Sequence, residues 1–475
     1  MFKKNLPFFT TIILLIFLFF NRAFSMNFFK DDYFFLKISH INNIQGFINF
    51  FSPIRTYSYK PLASEVFYFF IRNNIFLGHL IVFITYIIGL YFLFQIVQII
   101  FKKTVFSYIF VFLYAVSFIH VFQLYWLSTY QEIVVFTCLT LSFYLFLKNI
   151  FFFCFVFYVF ALLSKETAIL FMPFFLLVIF LLKRNKIKLF IKPIIIYILI
   201  SLGFLLIYRY SLKFVTSLDN YKIEWNMKLI FNNSFWYFMW GLGFPSFLPD
   251  YTKSIFFKFL PEFWSQFKNI EFKIYFFGLL SYLSLFFTTL IFYIFKFKEE
   301  AKKIFLISLF SIVCFFIFLG PILFFPHRWM IRLTLPLIFI LFLQAYLISL
   351  FFSKKSFKLL AIVLIGIYCL WNFFGVKIHQ VSSAYSLESK ISANTKNYFL
   401  KNSREIEKHK YIYFKDPSQT LNAWGESMKL ENSFHGQFFL DYYFPNKNLT
   451  AIWGYKQKNI PKDSYIINSV DLLLY

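Results

Sequence analysis

Two adjacent carboxylates, Asp31 and Asp32, follow the first apolar segment of the chain and open the stretch 31–62. An ionised carboxylate can take a proton from an attacking hydroxyl group or help to bind a divalent cation. Aspartate also begins helices well, so a helix N-cap or a solvated loop start is the structural alternative. We expect polar groups from the other segments to lie against this stretch.

Lysine side chains suited to a phosphate group occur at two later places. Lys60 lies in the turn 59–62, and Lys165 is followed by Glu166, which can orient the lysine or a metal ion. A lysine ammonium neutralises a phosphate as a point charge. The alternatives are structural: Lys60 can extend to lipid headgroups, and Ser164 with Glu166 can form the N-cap and first turn of a helix.

A third basic group consists of His327, Arg328 and Arg332. The guanidinium fork of arginine forms paired hydrogen bonds with a phosphate or pyrophosphate, although arginine also anchors helices at the membrane interface. Further candidates for contacts with a donor or an acceptor are Tyr59, in the same turn as Lys60, and Gln131 and Glu132, at the start of an apolar segment.

The elements that must position these residues are membrane-spanning helices. The chain is 60% hydrophobic and only 14% charged, whereas soluble domains carry about 25% charged residues. Apolar runs of about 20 residues recur, which is the length that crosses a bilayer as a helix, and no strand-like alternation recurs. We therefore predict an all-α polytopic bundle with about eleven spans, at 7–20, 75–100, 104–121, 131–147, 150–163, 167–182, 189–208, 274–297, 304–325, 333–352 and 357–375.

The formal net charge of +26 comes mainly from lysine and arginine in short loops between the apolar runs. In a soluble protein this charge would indicate nucleic acid, but here it follows the positive-inside rule, so membrane lipids and not nucleic acid are the expected partners. With a cytoplasmic N-terminus, alternating spans place these basic loops in the cytoplasm: 102–103, 148, 183–188, 296–303 and 354–358. The candidate residues then lie on the outer face, which predicts an active site at that surface of a membrane, with a residue bias that favours a bacterial cytoplasmic membrane.

The chain divides into a membrane domain, 1–375, and a polar tail, 376–475. In the tail, helical stretches are predicted near 384–408 and 420–440, with strands at 411–414, 449–453 and 465–468, so we expect a small extracytoplasmic α/β domain.

Two other segments have special roles in this scheme. Outer loop 1 covers 25–74, and the aromatic outer segment 209–273 is predicted to lie in the interface or to re-enter the membrane, as a lid or as a groove for a lipid chain. The first apolar run is short and precedes Ala23-Phe24-Ser25, so a cleaved signal peptide is an alternative to a first span.

The order of these motifs resembles the GT-C superfamily of integral-membrane glycosyltransferases, in particular its protein O-mannosyltransferase-like members. In those proteins an acidic pair follows the first span, as Asp31-Asp32 does here, and the loop ends in a Tyr-Arg-Pro-Leu-like turn, similar to residues 59–62 with Lys60 in place of arginine. Their Leu-Leu-Ser-Lys-Glu sequence before a span is matched at 162–166, and a Trp-Leu-Ser-x-x-Gln-like turn is matched by Trp126, Leu127, Ser128 and Gln131. The resemblance covers about residues 1–375, and no tetratricopeptide array follows.

This resemblance implies an inverting transfer of a sugar from a polyprenyl-phosphate-linked donor to an acceptor hydroxyl on the outer face. It assigns the general base to Asp31 or Asp32, with Asp31 favoured. The other carboxylate and Glu166 would position the acceptor or a divalent cation, if one is used. Side chains that would stabilise or bind the phosphate are Lys60, Lys165, His327, Arg328 and Arg332. The sugar and the acceptor, whether glycan, lipid or protein, stay open.

Three other functions are compatible with parts of this pattern. A lipid or saccharide transporter would also have many spans, but it needs polar residues in the middle of them. A non-catalytic membrane scaffold would tolerate alanine at Asp31, Asp32, Lys165 and Glu166. A polysaccharide ligase or polymerase would be expected to carry its long outer loop late in the chain, whereas the longest internal outer loop here lies in the middle.

Overall fold

The computed structural model describes residues 2–183, 187–215, 223–252, 259–266, 268–382, 384–417, 425–445 and 447–473. Helices dominate it, as the composition predicts. The helices of the first part are α1 (Phe2–Phe20), α2 (Asp31–Ile38), α3 (Ile44–Asn49), α4 (Phe67–Ile71), α5 (Ile75–Phe101), α6 (Thr104–Ala115), α7 (Val121–Tyr125), α8 (Tyr130–Leu147), α9 (Phe151–Ser164), α10 (Phe171–Lys183), α11 (Ile187–Leu212), α12 (Met227–Gly241), α13 (Pro261–Gln266), α14 (Ile270–Lys296), α15 (Lys298–Leu319), α16 (Leu337–Ser353) and α17 (Lys358–Ser382).

Seven helices within the described residues are long and apolar enough to cross a membrane. The count becomes eight when Thr104–Ala115 and Phe118–Tyr125, which bend by 43° at a short break, form one span. Three of the predicted spans, 150–163, 167–182 and 333–352, form apolar helices of fewer than 18 residues. A multi-pass membrane protein is therefore confirmed, and the number of eleven spans stays a prediction.

Close approach of the helices depends on glycine at defined positions. A Cβ atom on Gly89 of α5 would lie 2.4 Å from the ring of Phe136 in α8, and one on Gly278 of α14 would lie 2.8 Å from Trp371 in α17. Small residues let membrane helices pack backbone to backbone. The hydroxyl of Thr137 also donates to the Thr85 carbonyl at 2.8 Å across the α5–α8 contact, so the start of α8 has a fixed place in the bundle.

Outer loop 1 is a folded unit and not an extended connection. It contains α2, α3, a π-helical turn at Leu62–Val66 and α4. Inside it the buried guanidinium of Arg55 pairs with Glu65 and donates to the Ser52 carbonyl at 3.0 Å. This internal pair ties the turn at 52–55 to the π-helical turn at Leu62–Val66.

The polar tail folds as the predicted small α/β unit. Its elements are α18 (Ala384–Ile406), β1 (Tyr411–Lys415), α19 (Glu426–Phe434), α20 (Phe438–Tyr443), β2 (Thr450–Trp453), β3 (Ser464–Asn468) and α21 (Ser469–Leu473). The strands form a parallel sheet in the order β2-β1-β3, with Ile412 opposite both Ala451 and Tyr465. Part of the helix predicted at 420–440 lies outside the described residues. The predicted boundary at residue 375 falls inside α17, so the exact limit of the domain stays a prediction.

The aromatic segment 209–273 packs part of its aromatic side chains against the bundle. Trp236, Tyr237 and Trp240, which we predict at headgroup depth, are buried because α12 packs on the 320–333 region. The exposed side chains near this helix are Trp225, Met227 and Phe231. Placement of the segment at the membrane interface stays a prediction.

Candidate functional site

The buried carboxylate of Asp32 connects outer loop 1 to the start of α8 through hydrogen bonds. Its Oδ1 accepts hydrogen bonds from the Ser128 amide at 3.0 Å, the Ser128 hydroxyl at 2.7 Å and the Tyr68 hydroxyl, and its Oδ2 accepts one from the Phe29 amide at 3.0 Å. The side chain is fully buried. Burial raises the pKa of Asp32 to about 7, although the hydrogen bonds from Ser128 and Tyr68 lower it. Both carboxylate oxygens are therefore hydrogen-bonded inside the protein.

Asp31 has the opposite environment one residue earlier. Its side chain is 39% exposed, and its Oδ1 lies 2.7 Å from Nδ1 of His435, in the C-terminal domain. Both aspartates lie in the first turn of α2, whose N-cap is Lys30 and has no side-chain cap. The N-cap alternative for the acidic pair is therefore wrong, and Asp31 is the accessible member.

A second charged cluster connects three elements near the start of α8. Lys165 Nζ forms a buried ion pair with Glu132, and Lys60 Nζ of outer loop 1 lies 3.8 Å from Glu166 Oε2. Burial acts to raise the pKa of Glu166, but the positive charges of Lys60 and Lys165 bring it below its ordinary value. This cluster therefore carries an ionised Glu166 surrounded by cations.

The helix-cap alternative for Ser164 is wrong. Ser164 is the last residue of α9, one residue beyond the predicted span, and its hydroxyl donates to the Phe160 carbonyl at 2.7 Å. Lys165 is extended, and a 3-10 turn begins at Glu166. This break between α9 and α10 directs Lys165 toward α8.

The third basic group reaches the same place from the other half of the bundle. The positive charge of Arg332 acts on Glu166, and its Nη1 donates to the His327 carbonyl at 3.2 Å. Arg328 interacts electrostatically with Asp250 of the aromatic segment. The basic residues from outer loop 1, the α9–α10 break and the loop before α16 thus gather around Glu166.

Trp126 connects the acidic pair with the arginine loop. Its ring stacks on Phe29 with centroids 5.8 Å apart, and it also contacts Tyr385 at 5.2 Å and Trp329 at 5.7 Å. Phe29 directly precedes the α2 turn, and Trp329 lies between Arg328 and Arg332. The predicted groups therefore meet at one end of the bundle instead of scattering around its rim.

Several buried polar atoms in this region lack a hydrogen-bond partner within the described residues: Trp126 Nε1, Gln131 Oε1, Glu166 Oε2 and Arg328 Nη1. A buried polar atom without a partner costs about 1–3 kcal/mol. Such atoms also occur deeper in the bundle, as at both ring nitrogens of His120. Polar atoms without a partner therefore do not distinguish this end of the bundle from its interior. Its excess of positively charged side chains does, and it suits an anionic ligand.

An apolar cavity of about 560 Å³ lies between α5, α10, α15 and α16. Its described lining contains none of the basic residues, and the nearest lining positions along the chain are Phe171, five after Glu166, and Leu335, three after Arg332. The cavity also passes Leu93 and Phe310, and Thr140 is the one polar residue among its described lining. Its size is within the range of about 300–1,000 Å³ typical of ligand pockets. Cations at one end of the bundle and an apolar cavity inside it suit an amphiphile with an anionic head.

Two of the candidate side chains have mainly structural contacts. The Tyr59 hydroxyl donates to the Phe51 carbonyl at 3.1 Å inside outer loop 1, and Gln131 Nε2 donates to the Ser128 carbonyl at 3.4 Å. Among the described residues, no three His, Cys, Asp or Glu side chains gather as a metal site. Asp31, Asp32 and Glu166 therefore do not form one set of metal ligands here.

The structure adds site residues that sequence reasoning missed, above all Tyr68, Glu388 and His435. Ser128 was visible in the sequence as part of the Trp126–Gln131 motif, but its bond to Asp32 was not. His435 lies 404 positions from Asp31, and no local pattern marks it.

Fold and site together define a multi-pass membrane protein with a charged cluster at one end of its bundle. No protein-family model matches this sequence, and no curated protein matches it either.

Proposed function

We propose that the protein is a membrane glycosyltransferase of the GT-C type, which moves a sugar from a polyprenyl-phosphate-linked donor to an acceptor hydroxyl. The observation that carries this proposal is the arrangement of an accessible carboxylate, Asp31, and the cation cluster of Lys60, Lys165 and Arg332 at one end of a bundle that contains an apolar cavity. A polyprenyl phosphate has the matching chemistry, a phosphate on a long apolar chain.

The donor phosphate lies against Lys60 and Arg332 in this scheme, and its chain enters the cavity beside Phe171 and Leu335. Lys165 is already neutralised by Glu132, so it contributes less free charge than Lys60, whose ammonium is 3.8 Å from its carboxylate partner. Arg328 supplies a further guanidinium with a free Nη1 for the phosphate. Positive charge held in place at the leaving group stabilises the transition state of transfer.

The chemical step needs one proton acceptor and one leaving group. The acceptor hydroxyl gives its proton to Asp31, its oxygen forms a bond to the anomeric carbon, and the bond from that carbon to the phosphate oxygen breaks with its electron pair. Attack from the face opposite the phosphate inverts the anomeric configuration. Asp32 is fully buried and out of reach of an acceptor hydroxyl, so its role is to hold the turn that carries Asp31.

The membrane arrangement belongs to the same proposal. Eleven spans with a cytoplasmic N-terminus place Asp31, the cation cluster and the C-terminal domain on the outer face of a bacterial cytoplasmic membrane. The three short apolar helices α9, α10 and α16 then complete the bundle around the cavity.

Binding of radiolabelled undecaprenyl phosphate to the protein in nanodiscs tests the donor site. Lys60→Gln removes a cation of the cluster and should weaken binding about tenfold, the equivalent of about 1.4 kcal/mol. Lys148→Gln, an exposed lysine at the opposite end of α8, is the matched control and should leave the affinity unchanged. Equal affinity of both variants would contradict the proposed phosphate site.

A further inference from the structure

The accessible aspartate has a partner from the other end of the chain. Asp31 Oδ1 lies 2.7 Å from Nδ1 of His435. An ionised carboxylate only accepts hydrogen bonds, so Nδ1 carries the proton of this bond. Within the described residues the other oxygen, Oδ2, has no hydrogen bond, and it is therefore the atom that is free to receive a proton.

His435 is fixed in place by its own backbone and by aromatic neighbours. It follows the last residue of α19 with a φ of 53°, in the left-handed region. Its ring stacks on Phe34 of α2 with centroids 5.8 Å apart and planes 25° apart, and it lies 5.3 Å from the ring of Phe438. These contacts restrict the imidazole to the side of Asp31.

The same end of α19 is anchored to the α2 turn by neighbouring bonds. The Lys30 amide donates to the Ser433 carbonyl at 2.8 Å, and Lys30 Nζ pairs with Glu388 of α18 at 2.8 Å. At the far end of α2, Lys37 pairs with Asp441 of α20 at 2.5 Å. The C-terminal domain therefore holds α2 along its length, and His435 is the part of this contact that reaches Asp31.

We propose that the C-terminal domain completes the site, with His435 as a positioning residue that orients the Asp31 carboxylate through the Nδ1 hydrogen bond. This inference rests on the proposed function of Asp31 as the base. By fixing Oδ1, His435 presents Oδ2 to the acceptor hydroxyl. A misplaced catalytic group of this kind costs about a hundredfold in rate, and the loss should appear in kcat while KM for the donor stays nearly constant.

Two substitutions that both suit the left-handed backbone separate the hydrogen bond from the fold. Glycine and asparagine both adopt positive φ, but only the amide of His435→Asn can replace the Nδ1–H donor. The assay follows release of radioactive mannose from undecaprenyl phosphate mannose by the full chain in nanodiscs, with water as acceptor. His435→Gly should lower kcat about a hundredfold, and His435→Asn should recover most of it.

Lys37→Gln is the control for the packing of the C-terminal domain on α2. It breaks the ion pair with Asp441, which does not touch Asp31, and it should keep wild-type kcat. Wild-type kcat in His435→Gly would overturn the inference, and so would an equal loss in His435→Gly and His435→Asn. An equal loss in Lys37→Gln would overturn it as well, since the effect would then belong to docking.

A spectroscopic measurement tests the hydrogen bond between His435 and Asp31 without any substrate. In protein labelled with ¹⁵N-histidine, the His435 resonance, assigned by its loss in His435→Asn, should shift when Asp31 is changed to alanine. An unmoved resonance overturns the inference. A shifted resonance together with unchanged undecaprenyl phosphate binding in Lys60→Gln would instead contradict the proposed function and leave the contact established.

Discussion

At the scale of single residues, the main result is that two neighbouring aspartates have different environments. Asp32 is fully buried and bonded on both oxygens, whereas Asp31 is 39% exposed and has one partner. Their order along one helical turn directs them to different sides of α2. The same dipeptide thus supplies a buried structural anchor and an accessible carboxylate.

The sealed carboxylate predicts a pH dependence of stability. Asp32 has a pKa of about 7 in the folded protein, against an ordinary value of 3.8, so the folded state binds its proton more tightly than the unfolded state. The stabilisation of the folded state by this bound proton is complete below pH 3.8. It is lost as the pH rises toward 7, with a slope of at most about 1.4 kcal/mol per pH unit.

The difference in melting temperature between wild type and Asp32→Asn should therefore change across this range of pH and be constant above it. The same difference for Ser39→Ala, a nearby buried residue without a titrating group, should be flat; a flat difference for Asp32→Asn would contradict the burial of an ionisable group.

The sequence predicted the acidic pair and the basic residues as candidates because their types stand out beside apolar runs. It could not separate Asp31 from Asp32, since burial depends on Tyr68 and Ser128, which are 36 and 96 positions away from Asp32. The partner of Asp31 was unpredictable for the same reason.

At the scale of the elements, the contact between α5 and α8 fixes the position of α8 in the bundle, and the first turn of α8 carries Glu132 of the charged cluster. Gly89→Ala places a methyl group within 2.4 Å of Phe136 and should destabilise the protein by about 1–3 kcal/mol through overpacking. Gly366→Ala in α17 is the matched control, because nothing lies within 4 Å of its added Cβ, and it should be neutral or slightly stabilising. Thermal unfolding compares the two; equal stabilities would contradict the close packing of α5 on α8.

The cavity predicts a second effect at this scale. Ile338 of α16 lines it, so Ile338→Trp should fill part of the space that the lipid chain needs and weaken undecaprenyl phosphate binding at least about tenfold, through loss of buried CH₂ groups worth about 0.8 kcal/mol each. Ile84→Trp, at an exposed position on α5, adds the same side chain outside the cavity and should bind normally. Normal binding in Ile338→Trp would mean that the lipid chain lies elsewhere.

Most helices and all three strands were predictable because their patterns are local. Apolar runs indicated the long helices, and the strands at 411–414, 449–453 and 465–468 agree with β1, β2 and β3 within one residue at most positions. The break at 116–117 was missed, since it lies inside the continuous apolar run predicted as one span at 104–121, and its position depends on tertiary contacts. The end of α9 at Ser164 agrees with the predicted span 150–163 within one residue.

At the scale of the whole molecule, the account requires the site and the C-terminal domain on the outer face. In a variant without the four native cysteines, Lys458→Cys in the C-terminal domain should react with a membrane-impermeant maleimide in intact cells. Lys103→Cys, in the predicted cytoplasmic loop before α6, should react only after permeabilisation. Both side chains are exposed, so a lack of reaction reports the membrane and not burial. The reverse pattern would contradict the outward-facing site.

The central claim is that Asp31 takes a proton during sugar transfer from a polyprenyl phosphate. Its most direct test is mannose release from undecaprenyl phosphate mannose by wild type and by Asp31→Asn, with undecaprenyl phosphate binding measured in the same preparations. We expect Asp31→Asn to bind the lipid like wild type, because it leaves the cation cluster unchanged, and its kcat to fall by about 100-fold or more, the share typical of a general base. Wild-type turnover in a folded Asp31→Asn protein would contradict the claim.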